Sequence, residues 1–312
     1  MAVDGAGGDR SRITAPSAQP DPLPAILSAI TAFGLWGIIP IYWKLVERFG
    51  SDVVVCQRLV WTVACVLPLL LVTREWPLWR QAMRTPKLLR AHGIAAVLLT
   101  FNWSLFIWAN QHGHIVEASL GYFLNPLLNV AIGRLLLGEA LSRWRVISIT
   151  LAAAGVLLQM WLVGRLPWIA LSLAVTFALY GLARKQSPLS SLSGLAMESV
   201  LILPVALVGL GWMLSTGRPV AGTGSAMDWL LMIGAGACTT APLLAFGHAA
   251  KYLRFTTLGL LQFIAPTGQF LIGSLVYQEP VTFWVLVSFA FIWAGVAVFC
   301  AEAALGRKRE GA

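Results

Sequence analysis

The sequence predicts an all-α integral membrane protein, with ten transmembrane helices arranged as two inverted five-helix repeats. Three observations predict this. Of the 312 residues, 58% are hydrophobic and 11% charged, with a mean hydropathy of +0.78, whereas soluble domains carry about 25% charged residues. Apolar stretches near the ~20 residues that cross a bilayer core recur along the chain. A set of Pro, Gly, Glu and Trp markers also recurs at one fixed offset of 140 residues.

The spans are expected at 25–45, 53–73, 91–111, 115–137 and 146–164, then at 166–183, 195–214, 229–250, 255–277 and 282–305. A transmembrane barrel would show segments of about ten residues with alternating hydrophobicity. LAAAGVLLQ and LVSFAFIWAGVAVF do not alternate. Residues 1–24, MAVDGAGGDRSRITAPSAQPDPLP, are rich in Gly, Pro, Ala and Ser and read as a disordered tail. They lack the basic region and cleavage pattern of a removable signal peptide. The expected domains are therefore the tail, a first repeat over 25–164, a second over 165–305, and a basic cytoplasmic tail over 306–312.

A net charge of +9 raises the question of a polyanionic partner, and the positions of the charges answer it. With a cytoplasmic N-terminus, sixteen of the 22 Lys and Arg fall in inner segments and four in outer ones. The remaining two, Arg58 and Arg134, lie within spans. This is the positive-inside distribution of a multi-pass protein of the bacterial inner membrane with both termini cytoplasmic. No loop gathers basic residues with interleaved aromatics, so nucleic acid is not an expected partner. Cys56, Cys65, Cys238 and Cys300 sit in apolar spans without CxxC spacing and read as small buried hydrophobes.

The repeat carries the functional expectation. At the 140-residue shift, twelve of 51 positions over 110–160 match 250–300 without a gap. Pro126 meets Pro266, Gly133 meets Gly273, Glu139 meets Glu279, Trp144 meets Trp284, and Gly155 meets Gly295. A fainter echo at a shift of 144 joins Ser28, Phe33, Leu35 and Gly37 to Ser172, Phe177, Leu179 and Gly181. Five helices per unit is an odd number, so the second unit enters the membrane from the opposite side. Inverted repeats of this kind build many secondary transporters, which expose a midplane site alternately to each face. A small-molecule substrate is the expected partner, with a coupling proton as a second candidate and the bilayer as solvent.

Tyr122, Pro126, Asn129 and Gly133 share one face of span four, and Gln262, Pro266, Gln269 and Gly273 repeat that face on span nine. A polar, proline-bearing stripe fits a cavity wall or a packing seam with interhelical amide bonds. Asn102, Phe106 and Asn110 share a face of span three beside Trp103. Trp36 and Pro40 mark span one. Trp36, Asn102, Trp103, Asn110, Tyr122, Asn125, Asn129, Gln262 and Gln269 are the candidate substrate contacts. Charges at membrane depth are costly and normally face a bundle interior. Arg58 lies about five residues, roughly 8 Å, into span two from the outer side, and Glu117 opens span four on that side. They form a candidate pair, or a shared anchor for a charged substrate. Glu198 and His248 are the gating or proton candidates.

The run His112, His114, Glu117 resembles a metal site only superficially. Two residues apart on a helix, the histidines point about 200° from one another, so no metal is expected. HExxH, GxSxG and GxxxxGK patterns are absent from the sequence, so the chain is read as no enzyme and no cofactor is expected. Glu139 and Glu279 precede Ser142 and Thr282, which can cap the following helices, and read as structural. A non-transporting sensor or assembly protein is the competing class, and an intramembrane enzyme the third.

The stretch NWSLFIWANQHGHIVEASLGYFLNPLLN followed by LLLGEALSRWRVISITLAAAGVLLQ resembles the RarD group of EamA-type proteins in the drug/metabolite transporter (DMT) superfamily. LWGIIPIYWK, QRLVWT, FALYGLARK, MESVLILPVAL and TTLGLLQFIAPT extend the resemblance over nearly the whole chain except its tails. It implies ten helices in a five-plus-five inverted repeat, cytoplasmic termini and an inner-membrane permease. The group's chloramphenicol-sensitivity label names no physiological substrate. Gln57 stands before Arg58 where the group usually has His, so a role for imidazole there does not carry over.

Overall fold

The computed structural model describes residues 22–111, 115–163, 168–220, 225–278 and 281–310. The side chains of residues 110, 111, 115–120, 163, 303, 304 and 306–310 lie outside the described set. Among the described residues every regular element is helical. The first half contains α1 (Leu23–Ile38), α2 (Pro40–Leu45), α3 (Ser51–Val72), α4 (Trp76–Ala82), α5 (Pro86–Gln111), α6 (Ile115–Leu135) and α7 (Arg143–Val163). The second contains α8 (Trp168–Gln186), α9 (Ser191–Ser215), α10 (Ala226–Tyr252), α11 (Phe255–Leu261), α12 (Ile264–Leu271), a π-helical turn over Ile272–Val276, and α13 (Phe283–Glu310). Eight stretches are long and apolar enough to cross a membrane, counting α1 with α2 and α11 through the π-turn as one each. The other two expected spans are α6 and α8, of 21 and 19 residues. The architecture is the all-α, multi-span one expected.

Local chemistry explains where the helices begin and break. Ser190 and Ser225 cap α9 and α10, accepting from the N–H of Ser193 at 3.0 Å and of Asp228 at 3.1 Å. Ser142 accepts from Arg145 N–H at 3.1 Å and Thr282 from Val285 N–H at 3.4 Å, as expected for α7 and α13. Pro40 ends α1, because its ring nitrogen cannot donate to the carbonyl of Trp36 four residues back. That carbonyl instead accepts from Gln269 Nε2 at 3.1 Å. Ahead of Pro266, the ninth span tightens into i→i−3 bonds at Gln262, Phe263 and Ala265 and divides into α11 and α12. α6 runs through Pro126 without a break. α13 continues to Glu310 and takes in basic residues 307–309. The stretch AEAALGRKRE is mostly strong helix formers and lacks proline.

Pairing follows the inverted repeat. α6 packs on α8 as α12 packs on α1, and α5 packs on α8 as α10 packs on α1. α7 and α13 pack on one another through exchanged contacts. A Cβ on Gly155 would lie 2.5 Å from Ser288 O, and one on Gly295 would lie 2.5 Å from Ser148 O. Ser148 Oγ donates to Gly295 O at 2.7 Å. Residues 148 and 155 therefore meet 288 and 295, their own partners at the 140-residue shift, as isologous packing about a pseudo-two-fold requires.

Large apolar side chains such as Val72, Leu135, Trp161 and Val208 are exposed on the periphery, where lipid tails replace water. The four cysteines are free, and one expectation is corrected there. Cys56, Cys65 and Cys238 are part-buried, but Cys300 is exposed. In lipid an outward face costs a thiol nothing, so apolar surroundings in sequence do not imply burial in protein.

Candidate functional site

Two buried charged constellations occupy opposite ends of the bundle. At the end bearing α4 and most basic loops, Glu198 on α9 is 2% exposed and is met by three side chains from two elements. Arg184 Nη1 on α8 donates to its Oε1 at 3.1 Å, His92 Nδ1 on α5 approaches the same oxygen at 2.8 Å, and Tyr180 Oη donates to Oε2 at 3.2 Å. A carboxylate only accepts, so His92 carries its proton on Nδ1. Ser187 Oγ accepts from Leu189 N–H at 3.1 Å, leaving its own hydrogen for His92 Nε2 at 2.9 Å. Arg184 also donates to Ser191 O at 2.7 Å. Glycine makes room for this guanidinium. A Cβ on Gly194 would lie 1.9 Å from Nη1 and one on Gly247 2.6 Å from Nη2. Beside the network, Glu75 accepts from Ser190 and, at 2.6 Å, from Ser193.

Seven residues, about 10 Å, into α3 from the other end lies Arg58, 4% exposed. Its guanidinium carbon is 3.5 Å from the ring centre of Trp103 and 5.5 Å from that of Trp43. Its Nε has no hydrogen-bond partner among the described residues. Tyr122 lies within electrostatic reach of it and packs edge-on against Phe106, with 5.3 Å between centroids. Gln57 is held by structural bonds, donating to Val220 O at 2.8 Å and accepting from Trp61 Nε1 at 3.1 Å. A narrow cleft of about 20 Å³ runs between α3, α5 and α9, with Thr62 and Trp103 towards Arg58 and Glu198 and Ser199 towards the other end. That volume suits about one water.

The remaining sequence candidates divide by role. Asn102 Nδ2 donates to Leu173 O at 2.7 Å and to Thr176 Oγ1 at 2.9 Å, which ties α5 to α8. Asn129 Nδ2 donates to Gln262 Oε1 at 2.7 Å, joining the polar stripes of α6 and the α11–α12 break. The Oδ1 atoms of Asn125 and Asn129 are buried without partners among the described residues. Trp36 belongs to an aromatic cluster, 5.5 Å from Phe177 and 5.7 Å from Phe246 by ring centroid. Gln269 holds the freed carbonyl of Trp36. His248 packs on Tyr252 at 4.7 Å between centroids; the histidine that meets Glu198 is His92. Asn110 and Glu117 have side chains outside the described set, and His112, His114 and Glu279 lie outside the described residues, so the Arg58–Glu117 pairing falls outside it too.

His92 and Arg184 were not singled out as site residues by sequence reasoning. Arg184 reads as a positive-inside residue, and His92 carries no reading from sequence. Their only signal is position: His92 lies six residues into α5, and Arg184 two residues before the end of α8. Glu139 reaches across the molecule in the same unannounced way. Its carboxylate accepts from the N–H groups of Phe255 and Thr256 at 2.6 and 2.9 Å, capping α11 of the other half.

The profile of the EamA-like transporter family matches residues 23–161. Protein RarD of Escherichia coli is 39% identical over 284 residues, which cover 91% of this chain and 96% of that protein. The chain belongs to the RarD group of the EamA-like transporters. An uncharacterized transporter of Bacillus subtilis is 38% identical over 281 residues, covering 88% of this chain and 92% of the relative. A solved crystal structure superposes with a TM-score of 0.69 at 19% identity, over 89% of this chain and 97% of that one, which shows the shared fold alone. Membership of this family makes the chain a multi-pass membrane protein of a transporter superfamily.

Proposed function

We propose that this EamA-like protein is a secondary-active transporter of a small polar or amphipathic metabolite, working by alternating access without ATP hydrolysis. The observation that carries the reading is a narrow cleft with a buried charged constellation at each end. Arg58 with its tryptophans guards one end, and the Glu198 network closes the other. A space of about 20 Å³ is too small for a metabolite, so this conformer is occluded. Rocking the 25–164 unit against the 165–305 unit opens the cleft to one face and then the other, as in other inverted-repeat transporters.

The basic end is cytoplasmic in this reading, with both termini inside and the protein in the bacterial inner membrane. Arg58 then faces the outside, and His92, Arg184 and Glu198 form the inner gate. Within that gate Glu198 is the coupling-proton candidate, as His248 is on α10, and His92 and Ser187 extend a hydrogen-bonded chain from Glu198 at 2.8 and 2.9 Å. In the amide seam of Asn125, Asn129 and Gln262, the Oδ1 atoms of Asn125 and Asn129, unpaired among the described residues, are open to a polar solute or water.

Purified protein reconstituted in liposomes and bathed in a metabolite extract tests the reading, with mass spectrometry identifying what enters. The expected result is protein-dependent flux of a restricted set of solutes, altered by a pH gradient if a proton is coupled. Liposomes that admit the same solutes with and without the protein, under every gradient, would show the function to be something else.

A further inference from the structure

Arg58 is a cation in an almost fully buried position, and the described side chains leave it without an anion. The other described cations at its end of the bundle are matched. Arg48 meets Asp228 at 2.6 Å, Arg218 meets Asp52 at 2.7 Å, and Lys44 meets Glu47 at 2.7 Å. For Arg58, 4% exposed, no described carboxylate lies within ion-pair distance, and Nε has no acceptor. A buried guanidinium left in that condition is costly. The ring of Trp103 at 3.5 Å and that of Trp43 at 5.5 Å offset part of the cost through their quadrupoles. They do nothing for the Nε–H, which still lacks an acceptor among the described residues.

We propose that Arg58, walled by Trp103 and Trp43, docks the carboxylate of a small organic monoanion with an aromatic or branched apolar body. The proposal rests on the transporter reading and names the substrate class of that same site. The planar fork of arginine matches the two oxygens of a carboxylate, and each N–H···O⁻ bond formed away from water is strong. One unmatched cation sets the charge at minus one. A phosphate dianion needs a second cation, and the described ones of this end are already matched by Asp228, Asp52 and Glu47. The walls set the body. Trp43, Trp103 and the Phe106–Tyr122 pair offer ring faces and edges, and the hydroxyl of Tyr122 offers one polar contact. Thr62 is no competitor for the ligand, because its hydroxyl donates to the carbonyl of Arg58 at 2.7 Å within α3.

The test uses detergent-purified full-length protein and a matched trio of probes: phenylacetate, phenylacetamide and phenethylamine, with inorganic phosphate as a fourth. Thermal stabilisation against concentration gives an apparent affinity for each. The expected result is that phenylacetate binds about tenfold or more tightly than its amide, with no stabilisation by the amine or by phosphate. Arg58→Gln should abolish the preference for the acid, and Arg58→Lys should retain part of it. If Arg58→Gln does not fold, Trp103→Leu serves instead, since it removes the ring and leaves the charge; affinity for the acid should fall severalfold. Equal affinity for acid and amide in the wild type, or an undiminished preference for the acid in Arg58→Gln, would overturn the proposal. The liposome experiment separates this failure from that of the transporter reading. Protein-dependent flux of neutral or cationic solutes only, unaffected by Arg58→Gln, would sink the anion site and leave transport standing. Selective binding of the acid without any flux would do the reverse.

Discussion

Replacing Glu198 with Gln changes one atom and removes the charge on which three side chains converge. Arg184, 4% exposed, keeps its bond to Ser191 O but loses its counter-ion, and the amide must place an N–H where either Tyr180 or Arg184 now donates. Tyr180 can turn its hydroxyl to accept, so the steric change is small and the electrostatic one dominates. Removing one partner of a buried ion pair typically costs about 3–5 kcal/mol, because the other charge stays buried and unmatched. The Ser191 carbonyl and the remaining amide oxygen favour the lower end, about 3 kcal/mol. The assay is a double-mutant cycle on reversible denaturant unfolding in mixed micelles, with Glu198→Gln, Arg184→Gln and both together. The double variant should be less destabilised than the sum of the singles by about 2 kcal/mol or more, since the two neutral amides leave no orphaned charge. A single Glu198→Gln within about 0.5 kcal/mol of the wild type, or an additive cycle, would refute the reasoning.

Gly155→Ala and Gly295→Ala should destabilise by similar amounts, about 1–3 kcal/mol each, because each Cβ meets a backbone carbonyl of the pseudo-symmetric partner at the same 2.5 Å. Thermal unfolding in detergent measures both, and a large effect at only one site would deny the exchanged packing. Glu139→Ala removes the two acceptors at the start of α11 and should cost about 0.5–2 kcal/mol, with hydrogen exchange at Phe255 and Thr256 rising first. Unchanged protection there would show that the cap contributes nothing. Gln269→Ala leaves the carbonyl of Trp36, already deprived of its donor by Pro40, without a partner and should cost about 1–3 kcal/mol. In a Pro40→Ala background, where the helix can close its own bond, the cost should largely disappear.

The features legible in the sequence were those that lipid imposes on a backbone. Spans and the helix caps at Ser142 and Thr282 follow from length and hydrogen-bond bookkeeping, whereas the break at Pro40 falls inside a stretch that reads as one span, 25–45, and of the two stripe prolines Pro266 lies beside a break and Pro126 within an unbroken α6. The repeat was legible because Pro, Gly, Glu and Trp keep their spacing, and the Gly155–Ser288 and Gly295–Ser148 contacts give that spacing a physical purpose. The charge network was not legible. In a soluble helix, amphipathic periodicity separates the inside face from the outside, but in a membrane both faces are apolar and the signal fades. Arg184 thus looks identical to Lys185 in sequence. In the structure, Arg184 reaches inward to Glu198 while Lys185 reaches the carbonyl of Leu253 at 2.6 Å. Asn102 and Gln269 were recognised as polar positions, but only three-dimensional pairing gave them specific bonds, to Leu173 and Thr176 on α8 and to Trp36 on α1.

Alternating access through the cleft between Arg58 and Glu198 is the central claim, and a single introduced thiol tests it most directly. Thr62 lines that cleft and is 2% exposed. In a background with Cys56, Cys65, Cys238 and Cys300 replaced by Ser or Ala, Thr62→Cys would be reacted in oriented vesicles with a membrane-impermeant thiol reagent added to one face or the other. The account predicts modification from both faces, each slowed by conditions that favour opening to the opposite side. Modification from one face only, under every gradient tried, would contradict it.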